Sequence, residues 1–141
     1  MYQKKNLRNK YLNLRKKKYY EIDNKFFSPL INLIKSNFKK RDLFLSLYFP
    51  TSFEINVLKI LEHNYMANKN IFLPVIEKNN QMNFFMWKKN QVLLVNKFGT
   101  LEPVKTKAII PNLMIVPILA FDKNKYRLGY GKGFYDRYLN K

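Results

Sequence analysis

A chain of 141 residues is one domain by size and is long enough to bury roughly two thirds of its unfolded surface. With no cysteine it holds neither a disulfide framework nor a thiolate metal site, and no apolar run is long enough to cross a bilayer, so the expectation is a soluble cytoplasmic protein with no membrane partner. The formal net charge of +18 invites nucleic acid, yet lysine outnumbers arginine 22 to 5 and keeps company with abundant asparagine, as codon bias toward A and T produces, whereas surfaces that read bases favour arginine. The preferred reading is a solvated basic surface that draws in small anions without specific nucleic-acid recognition.

Residues 2–20 carry Leu7, Tyr11 and Leu14 at spacings of four and three among lysines, with no glycine or proline, which predicts a basic amphipathic helix. Asn24 is a cap candidate for a second helix whose apolar positions Phe27, Leu30, Ile31, Ile34 and Phe38 recur at helical spacing, with Pro29 in its first turn. Residues 43–49 form a nearly continuous apolar run stopped by Pro50 and read as a buried strand. Ile55, Leu58, Leu61 and Tyr65 predict a third helix. Ile71–Ile76 and Met82–Trp87 read as strands separated by a polar turn at 77–81. Gly99 and Pro103 bracket a loop, and residues 113–120 are the clearest buried strand. Strands alternating with helices predict α/β layers around a mostly parallel sheet in a single domain, where ligands gather at the carboxyl ends of strands.

Three of the four glycines, Gly129, Gly131 and Gly133, lie within residues 127–136, just after that last strand. Alternating with Tyr130, Lys132 and Phe134, they let bare backbone N–H groups approach a ligand that no Cβ holds off. Arg127 and Lys132 make that ligand negative. The residues that follow are compatible with a helix start, which adds N–H groups aimed at the same place. Phosphate is the natural occupant, although the spacing is neither that of the P-loop nor that of the dinucleotide-binding turn.

Preceded by the apolar run and Phe-Asp of residues 115–122, the string Arg127-Leu128-Gly129-Tyr130-Gly131-Lys132-Gly133-Phe134-Tyr135-Asp136 closely resembles the signature of 5-formyltetrahydrofolate cyclo-ligases, also called methenyltetrahydrofolate synthetases. Lys4-Lys5-Asn6-Leu7-Arg8 resembles that family's opening Lys-x-x-Leu-Arg helix, residues 45–56 its strand and glutamate block, and residues 94–103, more loosely, its Gly-hydrophobic-Glu-Pro segment. The resemblance implies a three-layer α/β/α sandwich of the CoA-transferase-like kind. It also implies ATP-driven cyclisation of 5-formyltetrahydrofolate, free or polyglutamylated, to 5,10-methenyltetrahydrofolate with release of ADP and phosphate.

On the same grounds Lys4, Lys5, Asn6, Leu7, Arg8, Arg127 and the run from Leu128 through Gly129, Tyr130, Gly131, Lys132, Gly133 and Phe134 to Tyr135 would hold ATP. Phe49 and Glu54, with Tyr130, Gly131, Lys132, Gly133 and Phe134, would border the folate. Asp136 would hold Mg2+, and Arg127, Lys132 and Tyr135 would take part in the chemistry. Each residue also has a plainer role open to it. Lys4 and Arg8 share one face of an ordinary basic helix, Glu54 and Asp136 suit helix N-termini, and Tyr135 suits a core. Trp87 reads as packing and His63 as surface. The family's domain continues further past the glycine string, so a domain lacking the C-terminal portion, monomeric or weakly dimeric, is expected. Two other readings remain: a noncatalytic nucleotide- or folate-binding relative, and a basic RNA-binding module.

Overall fold

A computed structural model describes residues 2–38 and 43–140. The first helix, α1 (Tyr2–Lys18), forms over the predicted stretch, but Leu7 and Leu14 are exposed, so the expected apolar face is not buried; Arg15, Lys16, Lys17 and Lys18 in its last turn suit the negative end of the helix dipole. Asp23, rather than Asn24, begins the next element. Its backbone is extended, as a cap requires, and its carboxylate accepts the Phe26 N–H at 3.1 Å. A 3-10 turn (Asn24–Phe27) then runs into α2 (Ser28–Asn37), with Pro29 in the first turn, and Phe27, Ile31 and Ile34 are buried.

The apolar run at 43–49 contributes only a short strand, β1 (Leu45–Ser46), but Leu43, Leu47 and Tyr48 are buried beside it. The third predicted helix is a 3-10 segment, Val57–Glu62, followed by turns. Val57 and Ile60, three apart and both buried, fit the three-residue period of the tighter helix as well as that of an α-helix. Strands β2 (Ile71–Ile76) and β3 (Met82–Trp87) form a hairpin with Ile71 opposite Trp87 and Ile76 opposite Met82. The segment read as a loop around Gly99 is a second hairpin, β4 (Leu93–Val95) with β5 (Leu101–Pro103). Asn96 shapes its turn by accepting the N–H groups of Phe98 and Thr100 at 2.9 and 3.2 Å, and Gly99 takes φ +74° there.

Two short strands follow, β6 (Ala108–Ile109) and β7 (Leu113–Met114). The long strand expected at 113–120 is interrupted, for Pro117 lacks the N–H a ladder needs. Its end joins a separate hairpin, β8 (Ala120–Phe121) with β9 (Arg127–Leu128), and the last helix is α3 (Phe134–Leu139).

The main sheet has the order β6-β3-β2-β1-β7, with β1 parallel to β2 and β7, and β3 antiparallel to β2 and β6. It is mixed rather than mostly parallel. Five residues between β2 and β3 close a hairpin, whereas a parallel crossover needs about a dozen or more. Leu45, Ile71, Leu73 and Trp87 face one core with α2 and the 3-10 segment. Phe72, Met82 and Phe84 face the other, with Phe134, Tyr135 and Tyr138 of α3. Alternation along the strands therefore separates two apolar layers, and the α/β/α sandwich follows. Among the described residues no helix is long and apolar enough to cross a membrane.

Phe84 joins the sheet to α3, its ring 4.9 Å from that of Tyr138 and 6.4 Å from that of Tyr135. Phe84→Ala should cost about 3–5 kcal/mol in urea unfolding. Leu33→Ala, on the outer face of α2 where Leu33 is 61% exposed, should change stability by about 0.5 kcal/mol or less.

Candidate functional site

A cleft of about 460 Å3, within the size range of small-molecule sites, opens where the loops after β1 and β9 meet the start of α1 and the tip of the β4–β5 hairpin. The residues the sequence singled out converge on it from three separate stretches. Lys4, Arg8, Phe49, Glu54, Arg127, Leu128, the glycine loop, Tyr135 and Asp136 all line the cleft. Lys5, Asn6 and Leu7 do not: helical residues four apart share a face, so Lys4 and Arg8 turn inward while the residues between them point elsewhere.

Arg8 holds the loop directly. Its Nε donates to the Gly129 carbonyl at 2.9 Å, and its guanidinium lies over Gly131, where a Cβ would stand 3.0 Å from the guanidinium carbon. Gly131 has φ +97° and Gly133, which starts α3, has φ +68°, so glycine is needed at both for backbone reasons as well. A Cβ at Gly129 would meet nothing within 4 Å. Arg127 pairs with the Asp136 carboxylate and lies 6.0 Å from the centre of the Tyr135 ring. Lys132 places its ammonium 4.9 Å from the centre of the Phe98 ring, and Phe98 in turn packs on Phe134 at 5.5 Å. The second hairpin thus leans on the glycine loop. That role was missed when its segment read as a loop, although Asn96 and Gly99, three apart between apolar runs, are a turn signal.

Glu54 is only 7% exposed, yet it is not a helix N-terminal acid, since the 3-10 segment starts at Val57. It closes a tight turn in which its N–H donates to the Thr51 carbonyl at 2.9 Å, while its Oε2 accepts the Thr51 N–H at 2.7 Å and the Thr51 hydroxyl at 3.2 Å. The two central residues, Ser52 and Phe53, have φ of +49° and +62°. Left-handed backbone in non-glycine residues stores strain of about 1–3 kcal/mol each and persists where surrounding contacts enforce it. The Tyr130 hydroxyl donates to Glu54 Oε1, and Arg15 donates to the Tyr130 oxygen and to the Ile118 carbonyl. Arg15 escaped the sequence reading. The available signal was its rarity: in a lysine-biased chain, Arg8 and Arg15 are two of five arginines and stand two helical turns apart.

Burial pushes the Tyr130 phenol well above its ordinary ionisation range, the Glu54 hydrogen bond and charge push it further, and Arg15 partly offsets them. Burial and the Glu54 charge raise Tyr48 and Tyr135 likewise. All three phenols are therefore protonated near neutral pH, and those of Tyr48 and Tyr130 donate, to the Ile55 carbonyl and to Glu54. The Tyr135 hydroxyl is buried in the cleft wall with no hydrogen-bond partner among the described residues, which leaves its donor unused. With Lys4, Arg8, Arg127 and Lys132 set against Glu54 and Asp136, the cleft favours an anion. Asp136 is 67% exposed at the rim, and among the described residues no group of three or more His, Cys, Asp or Glu could by itself hold a metal ion. Any cation there needs oxygens from its ligand and from water. Away from the cleft, Trp87 is buried and donates to the Gln91 carbonyl at 3.1 Å, a packing role as read; His63 is half-buried and accepts the Tyr65 N–H at 3.2 Å.

A family model described as the 5-formyltetrahydrofolate cyclo-ligase family matches residues 1–141. A 5-formyltetrahydrofolate cyclo-ligase of Haemophilus influenzae is 33% identical over 116 residues, covering 77% of this chain and 60% of its own length. One of Escherichia coli K12 is 31% identical over 93 residues, covering 61% of this chain and 51% of its own. The chain thus spans about half to three fifths of these relatives. Among solved structures, the 5,10-methenyltetrahydrofolate synthetase of Aquifex aeolicus aligns with a TM-score of 0.67 at 28% identity, covering 97% of this chain and 72% of that one. The Mycoplasma pneumoniae synthetase has the same fold, with a TM-score of 0.63 at 22% identity over 98% of this chain and 77% of that one.

The three loop glycines should respond unequally to substitution. Gly131→Val forces a branched side chain to φ +97° against Arg8 and should cost about 1–3 kcal/mol or more, read as a lowered thermal midpoint. Gly129→Ala, with open space at its Cβ, should leave the midpoint nearly unchanged.

Proposed function

This chain belongs to the 5-formyltetrahydrofolate cyclo-ligase family, and on that premise we propose that its cleft converts 5-formyltetrahydrofolate and ATP to 5,10-methenyltetrahydrofolate, ADP and phosphate. One observation carries the reading: a single cleft joins a glycine loop ringed by cations to a buried carboxylate on the opposite wall. A triphosphate suits the first and the donor edge of a pterin suits the second. A basic RNA-binding module would account for the charge but not for this arrangement.

The formyl oxygen leaves poorly as hydroxide. Transfer of the γ-phosphoryl group to it makes phosphate the leaving group, and N10 then attacks the activated formyl carbon to close the ring. Such a reaction asks the protein for positioning and for neutralisation of developing charge, not for a covalent nucleophile. Lys4, Arg8, Arg127 and the backbone of the glycine loop cradle the triphosphate in this reading, and Lys132 meets the charge on the transferring group. Glu54 retains acceptor capacity beyond its bonds to Thr51 and Tyr130, since a carboxylate offers about four acceptor sites. Phe49 supplies apolar wall beside it, Tyr130 to Phe134 border the folate where it meets ATP, and Tyr135 donates its unpartnered hydroxyl to the bound substrates.

Mg2+ fits this cleft as a companion of the nucleotide. Asp136 would give it one oxygen, in competition with Arg127, and the phosphates and water would give the rest; when bound, the ion adds charge neutralisation. In this reading the enzyme is a cytoplasmic monomer or weak dimer.

Purified protein given 5-formyltetrahydrofolate should show an ATP-dependent rise in the absorbance of the conjugated methenyl product; binding of both substrates without that rise would mark a noncatalytic relative. Glu54→Gln keeps the size and removes the charge. It should weaken folate binding about tenfold while ATP affinity changes less than about twofold, by calorimetry. Equal losses for both would make Glu54 structural. Arg127→Ala should act oppositely, weakening ATP by about tenfold or more through loss of a charge-assisted contact.

A further inference from the structure

Arg15 lies outside the cleft lining, yet it makes two of the long-range bonds that shape the cleft. We propose that Arg15 is a positioning residue: through the Tyr130 hydroxyl it sets the orientation of the Glu54 carboxylate and ties the glycine loop to the acid-bearing wall. This rests on the reading that Glu54 faces the folate.

One proton sets the direction of the network. A phenol has a single O–H to donate, and Arg15 Nη1 donates to its oxygen, so the Tyr130 proton is committed to Glu54 Oε1. The chain of donors runs one way, from guanidinium to phenol to carboxylate. Without the guanidinium the hydroxyl can rotate toward other acceptors and Glu54 loses a defined partner. The second prong of Arg15, Nη2, donates to the Ile118 carbonyl just before β8, so the planar fork is anchored on backbone and its other nitrogen is aimed by geometry. A lysine ammonium has no such fork.

At the far end, Thr51 holds Glu54 Oε2 with its N–H and hydroxyl. Tyr130 supplies the restraint on Oε1, and the two together fix the carboxylate plane above the strained Ser52–Phe53 turn. Tyr130 also sits between Gly129 and Gly131, where the backbone is held by Arg8. The same side chain therefore belongs to the phosphate-side loop and the carboxylate-side wall. Linked hydrogen bonds of this kind polarise one another, so losing the first weakens the next.

Two measurements test the proposal. In protein carrying ring-labelled tyrosine, the Tyr130 resonance, assigned by its loss in Tyr130→Phe, should move in Arg15→Met and in Glu54→Gln. If it stays in place in folded Arg15→Met, the inference is overturned whether or not a ligand binds. Calorimetry with 5-formyltetrahydrofolate supplies the second. Arg15→Met and Tyr130→Phe should each weaken binding about tenfold, and the double variant should match Tyr130→Phe within about twofold, because Arg15 acts through that hydroxyl. ATP affinity in Arg15→Met should fall by less than folate affinity does, because Arg8 still holds the Gly129 carbonyl. Losses that multiply in the double variant, or an equal loss for ATP, overturn the inference. If Arg15→Met does not fold, Arg15→Lys, which keeps the charge without the fork, carries both measurements with the same expectation. Failure of the unsubstituted protein to bind 5-formyltetrahydrofolate overturns the function proposed above, while the resonances still decide the network.

Discussion

Two arginines on one face of the first helix hold the beginning of the chain to its end. Arg8 reaches the Gly129 carbonyl 121 residues away, and Arg15 reaches Tyr130 and Ile118 at separations of 115 and 103. Most residues of α1 are exposed and many are lysine, so apolar burial cannot be its main anchor. A helix in a folded protein draws most of its stability from tertiary contacts rather than from propensity. Directional bonds to one loop therefore place it, and in doing so they build one wall of the cleft and bring Lys4 to its edge. Lysine could supply the charge, but a guanidinium can divide its donors between two acceptors in a fixed plane.

The mixed sheet supplies the rigid side of the same construction. Period-two alternation sends Leu45, Ile71, Leu73 and Trp87 to one core and Phe72, Met82 and Phe84 to the other, so each face demands its own cover. On the second face that cover includes α3, which is only six residues long. So short a helix persists through packing, here Phe134, Tyr135 and Tyr138 against Phe72, Met82 and Phe84. Core and site are thus coupled through one element: Tyr138 anchors α3 while Tyr135 and Asp136, on the same two turns, border the cleft.

Left-handed backbone occurs near that junction as well as in turns at Asn79, Asn80, Asn90 and Lys125. Ser52, Phe53, Gly131 and Gly133 all have positive φ. The glycines carry this without cost from a Cβ, whereas Ser52 and Phe53 are held there by the Thr51–Glu54 bonds and by the packing of Phe53 on Tyr19, with ring centres 5.8 Å apart. Strain held by such contacts keeps a carboxylate in one orientation before a substrate arrives, which is what electrostatic preorganisation requires. The net charge of +18 acts differently. Spread over lysines, it raises the local concentration of anions without fixing any one position.

What the sequence determined by itself was local and chemical. The glycine string, the helical spacing of Ile31 and Ile34, the alternation in β2 and β3, and the acid and cations of the cleft all express short-range rules of backbone freedom, periodicity and charge, and the family likeness rests on those same residues. Tertiary structure alone decided the rest. It made the β2–β3 connection a hairpin and so mixed the sheet, reduced the apolar run at 43–49 to a two-residue strand, tightened the third helix to a 3-10 segment, and folded the Gly99 segment into a hairpin that leans on the glycine loop. It also turned Lys5, Asn6 and Leu7 away from the cleft and set Arg15 on the Tyr130 hydroxyl behind it. The physical reason is distance along the chain: spacing and propensity are fixed between neighbours, while the partner of a guanidinium more than a hundred residues away, or of a strand edge such as Leu45 with Leu113, depends on which closure satisfies the most buried groups at once.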